Sequence, residues 1–383
     1  MSREFLTPGR IIMGKGALAD SMEYIASMGK KALIVSGKIV SKLDVFKELT
    51  SGLCKYGVGY AVFDGITGEP TDEMIIAGEE IYREKGCDFL IGIGGGSPLD
   101  AIKAIAVINT CKGKLSDYMG KEIDGKFPPM AAIPTTAGTG SEATRFTVIT
   151  DAATDVKMLL KGKALIPDIA AVDFENTKSA PKSITASTGL DALTHAVEAY
   201  TSKMAQPLTD ALAVSAVKRI FQYLPAAYKD GDDSRAREEM SAAALEAGIC
   251  INNSSVTIVH GMSRPIGALF HVPHGLSNAM LLEKCMAFAA DGAADRFAKL
   301  ARAIGKADAN DSDLEAARKF AEALKEICSV CEVPSVEEYG IDKTEFLNAV
   351  PKMAQDAIAS GSPANTRKKV TAEDITAIYK ELV

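Results

Sequence analysis

Short apolar runs alternate with longer helical patterns over the first 175 residues, and few folds admit that alternation. The runs are Lys31-Ala-Leu-Ile-Val-Ser36, Val58-Gly-Tyr-Ala-Val-Phe63, Phe89-Leu-Ile-Gly-Ile93 and Met130-Ala-Ala-Ile133. Helical patterns fall between them, near 42–56, 72–86 and 98–109. Apolar strands separated by helices mark a parallel, doubly wound sheet. A further strand pair is expected at Arg145–Thr150 and Ala170–Asp173. After about residue 177 the chain turns alanine-rich with helical period, at 183–203, 207–228, 235–255, 275–290, 293–305 and 312–328. Residues 343–383 also read as helices, with Thr371-Ala-Glu-Asp374 resembling a capping box. The expected architecture is an α/β domain over 1–176 followed by an all-α domain over 177–383.

Composition narrows the function classes. Forty-seven per cent hydrophobic residues are ample for two large cores. A net charge of −7 without long charged runs argues against a nucleic-acid or polyanion partner. No stretch of 18 apolar residues would span a membrane. The start, Met1-Ser-Arg-Glu-Phe-Leu-Thr-Pro-Gly9, lacks the apolar region of a signal peptide. The expectation is a cytoplasmic protein. Seven scattered cysteines fit reduced thiols. Cys328-Ser-Val-Cys331 has no second pair, and it reads as two thiols on a helix.

All four histidines lie between His195 and His274. His195 follows Asp191 by four positions, so both side chains share one helix face. A carboxylate and an imidazole so placed can grip one divalent cation, and His260 and His274 add two more imidazoles. Taken singly, an Asp-x-x-x-His pair is more often a surface polar pair, and His260 more often a core histidine. Their apolar surroundings weigh the other way. His260 follows Val256-Thr-Ile-Val259 and His274 precedes Leu276-Ser-Asn-Ala-Met-Leu-Leu282. An imidazole buried there needs a partner.

The strand at 89–93 runs into Gly94-Gly95-Gly96-Ser97-Pro98-Leu99-Asp100. The glycines let backbone N–H groups approach a ligand, Ser97 can cap the next helix, and Pro98 suits its first turn. A helix N-terminus of this kind attracts a pyrophosphate, although a tight strand-to-helix turn would look the same. A second loop, Pro134-Thr135-Thr136-Ala137-Gly138-Thr139-Gly140-Ser141-Glu142, follows the next strand. Two such loops at successive strand ends make the crevice where open α/β sheets bind nucleotides.

These motifs, in this order, resemble the iron-containing (group III) alcohol dehydrogenases. The matching stretches are Gly94–Asp100, Pro134–Glu142, Gly189-Leu-Asp-Ala-Leu-Thr-His195 and Pro273-His-Gly275, and the resemblance covers essentially the whole chain. It implies an N-terminal dinucleotide domain, a helical metal domain and a cleft between them. It implies metal ligation by Asp191, His195, His260 and His274, with iron expected and zinc compatible. It implies NADP or NAD contacts from Gly94, Gly95, Gly96 and Ser97, from Thr135, Thr136, Thr139 and Ser141, and from Lys157 near the nicotinamide ribose. The implied chemistry is hydride transfer between nicotinamide and a small alcohol or aldehyde, by a homodimer or larger homo-oligomer. A cation bound by one carboxylate and three imidazoles keeps coordination positions open for a substrate oxygen.

Three positions depart from the family pattern. Many relatives carry histidine where this chain has Arg264; the arginine is expected to line the substrate pocket and favour an anionic aldehyde, or else to pair with a nearby acid. His271 is then the remaining histidine for proton relay, with a structural role equally open. After the first strand, where an acidic residue selects NAD, this chain has Gly37 and Lys38. NADPH is therefore expected to be preferred, with NADH usable. Glu69 stands where relatives often carry asparagine. The competing readings are a glycerol-dehydrogenase-like polyol enzyme, a dehydroquinate-synthase-like lyase, and a nucleotide- or metal-binding protein without turnover.

Overall fold

In the computed structural model, which describes residues 2–154 and 156–383, the chain divides into two compact units, and each is treated by itself. The first spans Leu6–Ala180; the second spans Pro181–Val383 together with the described residues before Leu6.

The first unit opens with β1 (Arg10–Met13), α1 (Ala17–Ala26), β2 (Lys31–Val35), α2 (Asp44–Lys55), β3 (Gly59–Phe63), α3 (Asp72–Glu84), β4 (Phe89–Gly94), α4 (Gly96–Thr110) and β5 (Met130–Pro134). A hairpin follows, β6 (Phe146–Asp151) with β7 (Val156–Lys161), and then β8 (Ile169–Val172). Six strands form one parallel sheet in the order β1-β8-β5-β4-β2-β3. Alternate side chains explain why these strands read as unbroken apolar runs. Leu33, Val35 and Leu90 enter the core on one face, and Ala32, Ile34, Phe89 and Ile91 enter the core on the other.

The strands expected near 145–150 and 170–173 do not pair with each other. The first turns back on β7, while β8 inserts between β1 and β5 in the main sheet. The Asp151 carboxylate accepts the backbone N–H groups of Ala153 and Thr154, which starts the reversal.

The second unit is helical: α5 (Lys182–Thr201), α6 (Pro207–Lys229), α7 (Ser234–Ser254), α8 (Ile258–Phe270), α9 (His274–Ala289), α10 (Ala294–Ala303), α11 (Asp313–Val330), α12 (Lys343–Ala359) and α13 (Ala372–Lys380). Helix α5 is buried on all sides from Gly189 to Thr201, as its nearly continuous small and apolar surface requires. The capping box at Thr371 and Asp374 forms. Helix α8 has helical apolar spacing at Ile258, Val259, Met262 and Ile266, but Gly261, Pro265 and Gly267 in its interior read as breakers. Among the described residues no single helix is long and apolar enough to cross a membrane.

Candidate metal and nucleotide sites

Helix α5 presents Asp191 and His195 on one inward face, one turn apart. Helix α8 supplies His260 from its first turn, and α9 begins at His274. Gly275 brings α9 in: a Cβ there would lie 2.4 Å from the Ser187 carbonyl oxygen and 3.3 Å from Asp191 Cβ. With no side chain in the way, His274 reaches Asp191. The Oδ1 of Asp191 lies 3.6, 3.7 and 3.8 Å from the Nε2 atoms of His195, His260 and His274. Donor atoms of all four residues fall within 4.8 Å of one another. Asp191, His195 and His260 are buried, and His274 is half-buried.

The tautomers follow from the surroundings. His260 Nδ1 lies 2.5 Å from Glu198 Oε2, and Glu198 Oε1 accepts from Thr257 Oγ1 (2.8 Å) and the Val259 N–H (2.7 Å). An Nδ1–H donated to Glu198 leaves His260 Nε2 with its lone pair toward Asp191 and the Asn278 amide nitrogen, 3.2 Å away. Burial, with His195 alongside, drives the His260 pKa well below its ordinary value, so this ring stays neutral. Burial would raise Asp191, but the surrounding histidines and Asn278 outweigh it and hold the carboxyl low. Asn278 donates to Asp191 Oδ1 at 2.7 Å, and its own Oδ1, like His195 Nδ1, is buried without a hydrogen-bond partner among the described residues. A carboxylate and imidazole lone pairs converging in a buried site fit a divalent cation well: they are hard and borderline donors with room for bonds of about 2.0–2.2 Å.

Glu198 and Asn278 were not singled out from the sequence, yet the spacing that singled out His195 also reaches them. Glu198 lies three residues beyond His195, and Asn278 four beyond His274.

In the first unit, α4 starts at Gly96 with Gly95 as its N-cap and no side-chain cap. Ser97 is therefore a first-turn residue and not the cap, which leaves the first N–H groups of a long helix open to an anion. Gly95, Gly96 and Ser97 are all half-buried. The turn is tight at Gly94 (φ 148°), whose carbonyl accepts the Thr135 N–H at 2.8 Å. A Cβ on Gly96 would sit 2.8 Å from Thr139 Cγ2, so the two loops touch where only glycine fits. Thr136 and Thr139 remain half-buried, whereas Thr135 is buried.

Ser141 is engaged inside the unit. Its hydroxyl donates to Asp100 Oδ1 (2.5 Å) and accepts from Lys103 Nζ (2.9 Å). Fully buried Lys103 also donates to the carbonyls of Ser141 (2.7 Å) and Phe146 (2.8 Å), pinning the threonine-rich loop to α4. Gly37, after β2, bridges to Gly65; a Cβ there would lie 2.9 Å from the Ile66 carbonyl, which leaves no room for an acidic side chain. Lys38 is exposed. Lys157 grips the Glu69 carboxylate at 2.7 and 2.9 Å, which joins two of the sequence's marked positions in one ion pair.

His271 lies outside the four-residue cluster. It is exposed and ends α8 in the left-handed conformation (φ 54°). Arg264, one turn beyond His260, is half-buried and donates Nη1–H to Ser362 Oγ at 3.1 Å. Burial pulls its pKa down and Glu198 opposes that.

Residues 8–174 match the iron-containing alcohol dehydrogenase family, and residues 185–383 match its C-terminal part. The chain belongs to the iron-containing alcohol dehydrogenase family. The NAD-dependent methanol dehydrogenase of Bacillus methanolicus is 35% identical, with 99% of each chain covered. The NADPH-dependent butanol dehydrogenase of Clostridium saccharobutylicum is 34% identical over 98% of this chain and 97% of its own. A solved 1,3-propanediol oxidoreductase superposes with a TM-score of 0.96 at 33% identity, covering both chains completely. The protein is thus an oxidoreductase of the alcohol dehydrogenase type. Its relatives do not favour the lyase, glycerol-dehydrogenase-like or non-catalytic readings.

Proposed function

We propose that Asp191, His195, His260 and His274 hold one divalent cation, Fe2+ first and Zn2+ as the alternative. The reaction would be interconversion of a small primary alcohol and its aldehyde, with NADP(H) preferred over NAD(H). The observation that carries this reading is the convergence of three Nε2 atoms on one buried carboxylate oxygen. When bound, the cation supplies Lewis acidity toward the substrate oxygen, and the nicotinamide carries the hydride. The chain's own part is placement. Glu198 fixes the His260 tautomer, Asn278 holds Asp191, and the open N-terminus of α4 receives the pyrophosphate beside Thr136 and Thr139. For the nucleotide, support comes from the missing carboxylate at Gly37 and the exposed Lys38, which suit a 2′-phosphate. The relatives use either nucleotide. All seven cysteines are free, which suits a reducing compartment.

The test is oxidation of NADPH and NADH with an aldehyde panel, after metal removal and anaerobic refilling with Fe2+ or Zn2+. Activity restored by one metal supports the reading and identifies the ion. Bound dinucleotide and metal with no aldehyde-dependent oxidation would overturn it.

A further inference from the structure

Beside the cation cluster lies a positive charge that the chemistry above does not use. Arg264 follows His260 by one turn of α8, so the two side chains rise from the same face. A guanidinium has five N–H groups in a planar fork. Among the described residues only one finds an acceptor, the Ser362 hydroxyl at 3.1 Å. Arg264 is half-buried and none of its nitrogens is sealed from solvent without a partner, so its remaining N–H groups keep some contact with solvent. The acid acting on it, Glu198, is fully buried and already accepts from Thr257, Val259 and His260. With a divalent cation in place, the carboxylates of Asp191 and Glu198 balance its charge. The guanidinium is then left without a counter-ion among these groups.

We infer that Arg264, steadied by Ser362, forms an anion subsite beside the catalytic cluster, and that the preferred substrates are aldehydes or alcohols bearing a carboxylate or similar oxyanion. A planar fork pairs with a carboxylate through two parallel hydrogen bonds, which sets orientation as well as affinity. Arg264 is then a specificity-determining residue. The inference rests on the dehydrogenase reading for its reaction but not for its binding.

The experiment therefore has two arms. In the first, Zn2+-loaded enzyme without nucleotide is titrated calorimetrically with succinate and with neutral 1,4-butanediol. Succinate is expected to bind and the diol not, with binding weakened about 10- to 100-fold in Arg264→Gln, as loss of a charged hydrogen bond implies. Equal succinate binding by both proteins, or none by the wild type, overturns the inference.

In the second, the metal-loaded enzyme is compared on 4-oxobutanoate and butanal with NADPH. The ratio of their kcat/KM values is expected to fall about 10- to 100-fold in Arg264→Gln and by less in Arg264→Lys, which keeps the charge but loses the fork. An unchanged ratio, with both substrates losing equally, shows a structural role and overturns the inference. If Arg264→Gln proves unstable, Arg264→Lys with Ser362→Ala decides by the same ratio. Failure of every aldehyde would strike the dehydrogenase reading alone, because the first arm needs no turnover.

Discussion

Oε2 of Glu198 lies 2.5 Å from Nδ1 of His260, and neither residue is open to solvent. That contact decides which imidazole nitrogen faces Asp191. Glu198→Gln keeps the shape but offers the ring an amide in place of a carboxylate. Affinity for Co2+ or Zn2+ is expected to drop about 10- to 100-fold, the usual effect of removing such a supporting carboxylate. Calorimetry and the Co2+ absorption bands check this without turnover. Unchanged affinity together with unchanged bands would sink the assignment.

Much of this site was readable in the sequence because it is written in helical spacing. Asp191 and His195 share a face by arithmetic, and so does Glu198. What spacing could not show was how α8 and α9 come together on α5. That rests on Gly275, whose absent side chain lets a helix start press against the Ser187 carbonyl. A glycine beside a histidine looks like a turn signal in sequence, and only tertiary packing reveals it as a point of close approach. The same is true of α8, where Pro265 and two glycines mask a helix. In the first unit the apolar strands were plain, but β1 is four residues long and partly exposed, and β7 was not anticipated from 156–161. Pairing was not legible either: whether 146–151 joins β8 or folds back on β7 depends on a local turn at Asp151.

Glu142 gives a pH dependence. Burial pushes its carboxyl from 4.5 up to about 7. The unfolded chain releases this proton near 4.5 and the folded chain near 7, so in that window the folded state holds more protons. Stability supplied by the protonated form is present in full below about pH 4.5 and is lost as pH rises through about 7. Its size is on the order of 3 kcal/mol. Thermal unfolding of Glu142→Gln is expected to show a flatter profile between pH 4.5 and 7 than the wild type. Parallel profiles for the two proteins would show that Glu142 does not titrate in this window.

Lys38 sets the nucleotide preference in this reading. It is exposed, so its attraction for a 2′-phosphate is screened by water, and the effect of losing it is modest. Lys38→Ala is expected to lower the NADPH-to-NADH ratio of kcat/KM about fivefold at low salt, and Lys38→Glu to lower it further. The difference should shrink in high salt. A wild type with a KM for NADPH tenfold above that for NADH would already refute the preference. Placing an acid at Gly37 is a poor test, because its Cβ would meet the Ile66 carbonyl at 2.9 Å.

Gly96→Ala and Gly275→Ala are expected to damage different functions. At Gly96 the new methyl would meet Thr139 Cγ2 at 2.8 Å, a side-chain atom that must shift and take the loop with it. The nucleotide cradle is disturbed while the histidine cluster, in the other unit, keeps its geometry. At Gly275 the methyl would meet a backbone oxygen at 2.4 Å, which cannot yield by a change of rotamer. The start of α9 must move off α5, and His274 moves away from Asp191. Overpacking of this kind costs about 1–3 kcal/mol or more, so both variants should still fold in a protein of ordinary stability. Gly96→Ala should lose NADPH affinity by fluorescence titration and keep its Co2+ bands. Gly275→Ala should alter or lose the Co2+ bands and keep NADPH binding. If each variant lost both ligands equally, the phosphate cradle and the cation cluster could not be the separate constructions described above.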